Sequence, residues 1–423
     1  MTWPTASLKA ISCFGPQYGA NASAIARTGT RPRYVRITDI DSDGRLLADG
    51  AVEADLDDDR QFLLKEGDLL FARSGNTVGK AYLHRAGNGP CVFAGYLIRF
   101  RPAPDLADSR YVFFFTQSTA YKSWVVSRKR VAGQPNVNGT EYSALQFPLP
   151  ALKEQRRIVE LLEQADGLRR KRTEADRLAN HILPALFRKM FGDPVANDKG
   201  WPAALFGEIA ESRLGKMLDA KQQTGEHRRP YLRNLNVQWA RFDLSSVLEM
   251  DFPPEQRNEF LLRQGDLLIC EGGEVGRSAI WDEQIPECYF QKALHRVRPH
   301  TNKCVAEYLL YLLWALARRG GLIDLNSKAT IPHLTGVQLA ALQIPLPPVN
   351  LQRAFAGLVQ RASAVTQKRL ASGNKLEALF RTMLHRAFTG DLTAKWHEAH
   401  LKELLAEMEQ QARLLESAKA EAN

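Results

Sequence analysis

Cysteine is scarce in this chain of 423 residues, which contains five scattered cysteines and no Cys-x-x-Cys pair. Disulfide scaffolds and zinc ribbons need paired cysteines, so both are disfavoured and a reducing cytoplasm is expected. The sequence also lacks a run of about 18 apolar residues, which argues against a transmembrane helix. Its first residues lack the charged and then apolar pattern of a secretory signal. We therefore expect a cytoplasmic protein that does not bind a membrane.

Motifs for catalysis are also missing. The string Asp-Phe-Pro-Pro at 251–254 has the wrong order for the loop that holds an amino group in amino-methyltransferases. The glycines at 75 and 79 are one residue short of a Walker A loop and lack its hydroxyl. The histidines form no His-Glu-x-x-His motif. We expect no catalytic residue, no metal and no cofactor in this chain.

The charge is moderately basic, with 57 Lys and Arg against 47 Asp and Glu. An excess of this sign favours a polyanionic partner such as DNA. Residues 194–347 carry 18 basic and 18 acidic side chains, so positive charge there must be gathered on one face. The charge alone is also compatible with a basic protein that does not bind nucleic acid.

An internal repeat organises the sequence. The Gly-Asp-Leu-Leu motif at 67–70 returns at 265–268, and the Trp-Pro pair at 3–4 returns at 201–202. A Leu-Gln-x-Pro-Leu-Pro string at 145–150 returns at 342–347. Offsets of 197 or 198 that hold along the whole unit indicate a duplication.

Each repeat mixes short β-rich runs with an apolar helical pattern. In the first repeat the runs at 34–40, 68–73 and 92–101 predict strands, and 111–126 predicts a helix. No regular βαβ alternation is present, so the fold class is expected to be α+β. The proline-rich strings that end the two repeats mark domain edges.

A long helix with apolar residues at heptad spacing follows each proline-rich string. Such a stripe needs a partner helix, and the two stripes predict an antiparallel, pseudo-two-fold coiled coil that separates the domains. The alternative is that each helix packs on its own domain. The predicted seam contains Ile158, Leu161, Leu168, Ile182, Phe355, Leu358, Val365 and Leu379.

These patterns divide the chain into five segments. The first domain is 1–150, the central helical spacer 151–193, the second domain 194–347, the C-terminal helical spacer 348–392 and the tail 393–423. The tail is rich in Ala, Glu, Leu and Lys and predicts an amphipathic helix. Whether that helix binds a partner or stays exposed is left open.

Two motifs resemble those of specificity subunits of type I restriction–modification systems. They are the Pro-Leu-Pro-Ala-Leu-Lys-Glu-Gln-Arg-Arg-Ile-Val run at 148–159 and the glycine-rich core at 67–80 and 265–277. The resemblance covers nearly the whole chain. It departs where Glu271 replaces Arg73 in the second copy, and where the second helix keeps Gln352 but lacks the preceding Glu.

The resemblance implies a non-catalytic, prokaryotic subunit with two target recognition domains. Each domain would read one half of a split, asymmetric site in double-stranded DNA. The helices would set the gap and dock two adenine-N6 methyltransferase subunits, and a motor-nuclease subunit would join for restriction. Any use of S-adenosylmethionine, Mg²⁺ and ATP would belong to those other subunits.

Candidate DNA contacts are basic clusters and the polar loops at 133–139 and 328–336, whose Pro and Gly repeat while other residues change. Lys and Arg mainly bind phosphate, whereas Asn, Gln and Arg can pair with base edges and Glu can accept from a cytosine amino group. The candidates are Arg31, Arg33, Arg36, Arg73, Arg128, Lys129, Arg130, Gln134, Asn136, Asn138, Arg228, Arg229, Arg233, Arg277, Lys292, Lys328, Thr330 and His333.

Two other functions remain open at this point. The chain could be a free-standing, repressor-like DNA-binding protein with duplicated domains. It could also be a basic protein–protein adaptor with no role on DNA, whose partner binding would be insensitive to salt.

Overall fold

The computed structural model describes residues 3–128, 136–219, 223–322 and 333–421. The chain forms two compact units: unit 1 is Met1–Arg172 with Ser372–Asn423, and unit 2 is Thr173–Ala371. Each unit thus combines one repeat with parts of both long helices, whereas the five predicted segments divide the chain linearly.

Unit 1 is built on two four-stranded sheets, ordered β2-β9-β6-β7 and β3-β5-β4-β8, and a small sheet of β1 and β10. Among the described strands of this unit, all pairs are antiparallel except β4 with β8. The strands are β1 (Thr5–Ser7), β2 (Ser12–Tyr18), β3 (Ala24–Ala26), β4 (Arg33–Val35), β5 (Val52–Ala54), β6 (Leu69–Ala72), β7 (Ala81–Leu83), β8 (Cys91–Phe93), β9 (Leu97–Pro102) and β10 (Gln146–Pro148).

Unit 2 repeats this plan with sheets β12-β20-β17-β18, β16-β13-β19 and β11-β21, and adds the pair β14-β15. Its one parallel pair among the described strands, β13 with β19, matches β4 with β8. The strands are β11 (Ala203–Leu205), β12 (Ala210–Leu214), β13 (Arg228–Leu232), β14 (Val237–Gln238), β15 (Arg241–Phe242), β16 (Leu248–Asp251), β17 (Leu267–Cys270), β18 (Ser278–Ile280), β19 (Tyr289–Phe290), β20 (Leu294–Pro299) and β21 (Gln343–Pro345).

A long helix follows each repeat, and a third long helix forms the C-terminal tail. The helices are α1 (Ser109–Phe115), α2 (Thr119–Arg128), α3 (Gly139–Ser143), α4 (Leu152–Ala179), α5 (Ile182–Phe191), α6 (Phe206–Ile209), α7 (Pro254–Phe260), α8 (Ala306–Arg318), α9 (Gly336–Ala341), α10 (Val349–Thr389) and α11 (Ala394–Glu421). Strands and helices are mixed without regular alternation, so the α+β class and the duplication are both confirmed.

The sequence misplaced three elements in the first repeat. The predicted strand at 34–40 ends at Val35, and a short helical turn, Ile37–Asp39, follows it. The predicted strand at 92–101 is two strands, because the chain turns between β8 and β9 and Leu97 N–H donates to the Ala94 carbonyl at 2.9 Å. The predicted helix at 111–126 is also broken. The Thr116 hydroxyl donates to the Phe113 carbonyl at 2.6 Å, and the Ser118 hydroxyl accepts from Tyr121 N–H at 3.2 Å. Such side-chain bonds compete with a continuous helix.

A buried glutamine fixes the start of each long helix. Gln155 accepts from Asp108 N–H at 2.9 Å and donates to the carbonyls of Leu106 (3.2 Å) and Pro150 (2.9 Å). Gln352 makes the same three bonds 197 residues later, at 3.2, 3.2 and 2.8 Å. The shared glutamine of the helical motif therefore ties the helix to its domain.

The long helices run antiparallel within unit 1. Arg169 on α4 bonds Glu377 on α10 at 2.8 Å, and Arg172 lies 3.5 Å from the Ser372 hydroxyl, so numbers rise on one helix as they fall on the other. The Arg169 guanidinium also lies 4.2 Å from the centre of the Phe380 ring, which joins the unit 1 core.

Unit 2 shows the same antiparallel relation. Arg369 on α10 bonds Asp176 on α4 at 2.8 Å, and the rings of Phe187 and Phe355 have centres 5.6 Å apart. Both aromatic residues belong to the unit 2 core, which also contains α8 and the strand pair β17 and β20.

The predicted heptad seam is wrong at four of its eight positions. Ile158 and Phe355 are buried, each in the core of its own unit, and Leu161 and Leu358 are partly buried. The other four are 54–57% exposed and lie outside the cores of both units; they are Leu168, Ile182, Val365 and Leu379.

The C-terminal helix α11 docks on unit 1. The buried carboxylate of Glu154 accepts from the Thr393 hydroxyl at 2.7 Å and lies 2.8 Å from His397 Nδ1. The buried side chain of Gln411 donates to the Leu106 carbonyl at 2.9 Å. The amphipathic helix predicted for the tail is present. One of its faces, with His397, Leu404 and Gln411, is buried, whereas Leu401 and Leu405 are exposed.

No helix in the described ranges is both long and apolar enough to cross a membrane.

Candidate nucleic-acid interface

The aspartate of each Gly-Asp-Leu-Leu motif locks two strands together. Asp68 is buried before β6, and its carboxylate accepts from Arg101 on β9 at 2.6 and 2.8 Å. Asp266 binds Arg298 on β20 in the same way, at 2.6 and 2.9 Å. These charge-assisted bonds raise the pKa of both arginines. The motif is therefore a structural device that supports the site beside it.

The neighbouring Arg99 and Arg296 are structural as well. Both are buried, and each donates at 2.7 Å to a main-chain carbonyl, that of Leu63 or Glu259. Burial lowers the pKa of both guanidinium groups. These side chains are not available to a ligand.

Three chain segments meet at Arg73 in unit 1. Arg73 follows β6, and its N–H donates to the carbonyl of Tyr96, in the turn between β8 and β9, at 3.0 Å. Its own carbonyl accepts from Val137 N–H at 2.8 Å, and Ser74 pairs with Asn136 in an isolated antiparallel bridge. This arrangement, here called the three-segment frame, fixes the Arg73 backbone on three sides.

The Arg73 side chain lies beside an aromatic residue. Its guanidinium is 4.9 Å from the centre of the Tyr18 ring, and the Tyr18 hydroxyl accepts from Gly139 N–H at 3.0 Å. Tyr18 is 40% exposed, and Tyr96, whose carbonyl binds the Arg73 N–H, is 62% exposed. An arginine held over a ring keeps its plane fixed, so this corner presents a pre-oriented cation next to the Tyr18 ring.

The same three-segment frame holds an acid in unit 2. Glu271 follows β17, its N–H donates to the Ala293 carbonyl at 2.9 Å, and its carbonyl accepts from Leu334 N–H at 2.7 Å. The Leu334 carbonyl also binds the buried His295 ring through Nε2 at 2.9 Å. Burial lowers the pKa of His295, which keeps the ring neutral. Ala293 stands where unit 1 has Tyr96.

The predicted arginine cluster of unit 1 is largely bonded to its own chain. Arg36 makes two bonds to Asp39, at 3.1 and 2.8 Å, which raise its pKa and cap a short helical turn. Arg33 donates to the Leu47 carbonyl at 2.6 Å. The exposed Arg31 lies 3.5 Å from Asp55. All three arginines therefore have a partner within unit 1, and their contact with DNA stays a prediction.

Three of the candidate arginines in unit 2 are also bonded to their own chain. Arg229 lies 3.1 Å from Glu287, and Arg233 donates to the Ser246 carbonyl at 3.1 Å. Arg277 donates to the carbonyl and side-chain oxygens of Asn234, at 3.0 and 2.8 Å. Two further candidates in this unit are exposed, namely Arg228 and Lys292.

The polar loops are described only in part. Asn136 is exposed, whereas the Asn138 side chain accepts from Glu141 N–H at 2.9 Å in a capping box and therefore has a structural role. Arg128 lies over the Trp124 ring at 4.2 Å, and the exposed His333 lies against Gly272. Five predicted contacts fall outside the described residues: Lys129, Arg130, Gln134, Lys328 and Thr330.

Within the described ranges, no group of three or more His, Cys, Asp or Glu side chains could hold a metal ion.

The duplicated frames coincide with two matches to one family. A family model described as the type I restriction modification DNA specificity domain matches residues 24–177 and 199–371. The chain belongs to this family. Specificity chains of this type form the non-catalytic subunit of type I systems, which agrees with the absence of catalytic motifs in the sequence.

Curated relatives extend over most of this specificity chain. The type I restriction enzyme MjaVIII specificity subunit of Methanocaldococcus jannaschii is 20% identical over 353 residues, 79% of this chain and 81% of its own. The EcoKI specificity subunit of Escherichia coli K12 is 23% identical over 380 residues, 84% of this chain and 81% of its own. These matches give no support to the repressor-like or adaptor alternatives.

Two solved structures share the fold of this specificity chain. One comes from work on complex assembly and conformational transition of the type I R-M system, with 20% identity, a TM-score of 0.54 and coverage of 92% of this chain and 98% of that chain. The other is a type I S subunit from M. genitalium, with 15% identity, a TM-score of 0.54 and coverage of 92% and 96%.

Sequence reasoning did not single out Tyr18 and Tyr96, the two residues that contact Arg73 through a ring and a carbonyl. Tyr18 lies on a strand with partly exposed faces, and Tyr96 lies in a turn that the sequence predicted as continuous strand. A comparison of the two copies could have found Tyr96, since the second copy has Ala293 at that position.

Proposed function

We propose that this chain selects the DNA sequence for a type I restriction–modification complex. The domain at 1–150 reads one half of a split, asymmetric site in double-stranded DNA, and the domain at 194–347 reads the other half. The observation that carries this proposal is the repeated three-segment frame: the two main-chain bonds at Arg73 recur at Glu271, while the side chain at this position differs. One scaffold that reads two different half-sites requires this combination.

We also propose that the helices at 151–193 and 348–392 set the gap and dock two methyltransferase subunits. The support is the large apolar side chains that the helices expose within each unit, Leu168 and Leu379 in unit 1 and Ile182 and Val365 in unit 2. Large exposed apolar side chains on a helix are typical of a protein contact. A motor-nuclease subunit completes the complex for restriction, and ATP, Mg²⁺ and S-adenosylmethionine are used by the partner subunits in the prokaryotic cytoplasm.

The test is sequencing of adenine methylation in host DNA, with this gene and its methyltransferase partner present or absent. Methylation at one split motif is the expected result. No new methylation, when the complex is shown to form, would contradict the proposal. Specific DNA binding by the chain alone would favour a repressor-like protein instead.

Docking is tested separately with Leu168→Lys and Leu379→Lys. We expect these variants to reduce co-purification of the methyltransferase while the chain remains folded. Lys171→Glu, at an exposed position on the same helix, is the control for a change of charge alone. Normal co-purification of both leucine variants would contradict the docking surface.

A further inference from the structure

Positions 73 and 271 are equivalent in structure and opposite in charge. In both units the residue follows an inner strand of the four-stranded sheet (β6 or β17). Its N–H donates to a carbonyl in the turn before β9 or β20, and its carbonyl accepts from an N–H of the polar loop, that of Val137 or Leu334. Because these are main-chain bonds, the frame forms whichever side chain the position carries. The fold therefore does not dictate Arg73 or Glu271.

Neither charge is neutralised by a close partner in the described parts of the chain. Across residues 3–128, 136–219, 223–322 and 333–421, no hydrogen bond or ion pair is formed by the Arg73 guanidinium or the Glu271 carboxylate. Both side chains are only partly exposed. The charge of Glu271 acts to raise the pKa of His295, but burial lowers that pKa by more, so the His295 ring is neutral and does not balance the charge of Glu271. Partly buried charges without a partner are costly, which points to a partner outside the chain.

The chemistry of the two side chains limits which groups this partner can present to them. Arginine is only a donor, and it binds phosphate or, in a bidentate way, the two acceptors of guanine. A carboxylate is only an acceptor, and phosphate repels it. If both positions face DNA, Glu271 can bond only to an amino group on a base edge. Because Arg73 occupies the same position in the frame, it then faces a base edge as well.

Resting on the proposed function, we propose that Arg73 and Glu271 are the equivalent base-reading positions of the two domains. Arg73 reads the major-groove edge of a guanine, and Glu271 accepts from the amino group of a cytosine. Tyr18 is a positioning residue that holds the Arg73 guanidinium flat. Each half-site consequently contains at least one G·C pair.

The test uses the complete complex of this chain with its methyltransferase. Methylated sites are sequenced for the wild type, for Arg73→Gln and for Glu271→Gln. Glutamine pairs with adenine, so each variant should relax one G·C position and accept adenine there. The loss of discrimination should be roughly 10- to 100-fold, as for one bidentate contact, and the two variants must change different half-sites.

The unchanged half-site is an internal control for folding and assembly in each variant. Arg60→Gln is the matched control for loss of one positive charge, since Arg60 is exposed and paired only with its neighbour Asp58 among the described residues. It should leave the motif unchanged. Tyr18→Ala should weaken discrimination at the Arg73 position, and Tyr18→Phe should retain it, since the ring remains.

Four results would overturn the inference while the proposed function stands. They are a half-site made only of A·T pairs, a motif unchanged in both variants, a change of the same half-site by both, and a uniform fall in methylation at an unchanged motif. The last result, with a salt slope reduced by about one in Arg73→Gln, would assign Arg73 to phosphate. A wild-type complex that methylates no split motif would instead refute the proposed function itself.

Discussion

Replacing Glu154 should release the C-terminal helix from unit 1. Its buried carboxylate holds the Thr393 hydroxyl and the His397 ring, at 2.7 and 2.8 Å. A hydrogen bond to a charged group contributes about 1.5–3 kcal/mol, and an unpaired buried donor costs about 1–3 kcal/mol. Since the Thr393 hydroxyl can rotate to another acceptor, we expect Glu154→Leu to lower the free energy of docking α11 by about 3 kcal/mol.

The second copy shows that the substitution is compatible with the helix itself. Leu351 takes the place of Glu154 at the start of α10, where Gln352 still makes its three bonds. The effect should therefore be confined to α11. A loss of about 3 kcal/mol raises the population of the undocked helix about 100-fold, and hydrogen exchange of residues 394–417 should accelerate by that factor.

Glu160→Leu is the control, because Glu160 lies on the same helix, is exposed and pairs with Arg157. Surface changes of this kind alter stability by about 0.5 kcal/mol or less. A double-mutant cycle of Glu154→Leu with His397→Ala should give a coupling of about 1–3 kcal/mol. Equal exchange of α11 in Glu154→Leu and Glu160→Leu, or a coupling of zero, would refute the reasoning.

Three further predictions concern the second copy and the spacer. Gln352→Leu leaves three main-chain groups without their partner and should lower the free energy of unfolding of unit 2 by about 2–4 kcal/mol in chemical denaturation, whereas the exposed Gln360→Leu should change it little. Burial lowers the pKa of His295, so the unfolded state takes up the proton more readily and the stability of unit 2 should fall as pH drops from about 7 to 5. His295→Gln should weaken that dependence of the denaturation midpoint on pH, and an unchanged slope would contradict it. Insertion of about four residues, one helical turn, near Ala179 should alter the gap in the methylated motif; retained activity with an unchanged gap would contradict the spacer role.

The sequence correctly predicted the features that rest on the internal repeat and on periodic apolar patterns. Matching strings at one offset established the duplication, and the mixed strand and helix patterns gave the α+β class. The helices after each proline-rich string are present as α4 with α5 and as α10. These features depend on local sequence patterns or on a comparison of the two copies, so they can be predicted without knowing which elements are in contact.

The predictions that failed needed tertiary information. The heptad pattern identified Ile158 and Phe355 as apolar but assigned them to one seam, whereas each enters the core of its own unit. The same pattern could not show that Leu168 and Val365 stay exposed. Docking of α11 depends on a contact between residues 154 and 397, which no spacing rule contains.

The two copies act as internal controls for each other. Where they agree, as at Gln155 and Gln352, the shared side chain makes the same bonds and the fold requires it. Where they differ, something beyond the repeat must be responsible. Glu154 is explained by α11, which belongs to unit 1. The difference between Arg73 and Glu271 has no such explanation in the described parts of the chain, and this is why we propose that the two domains read different bases at this position.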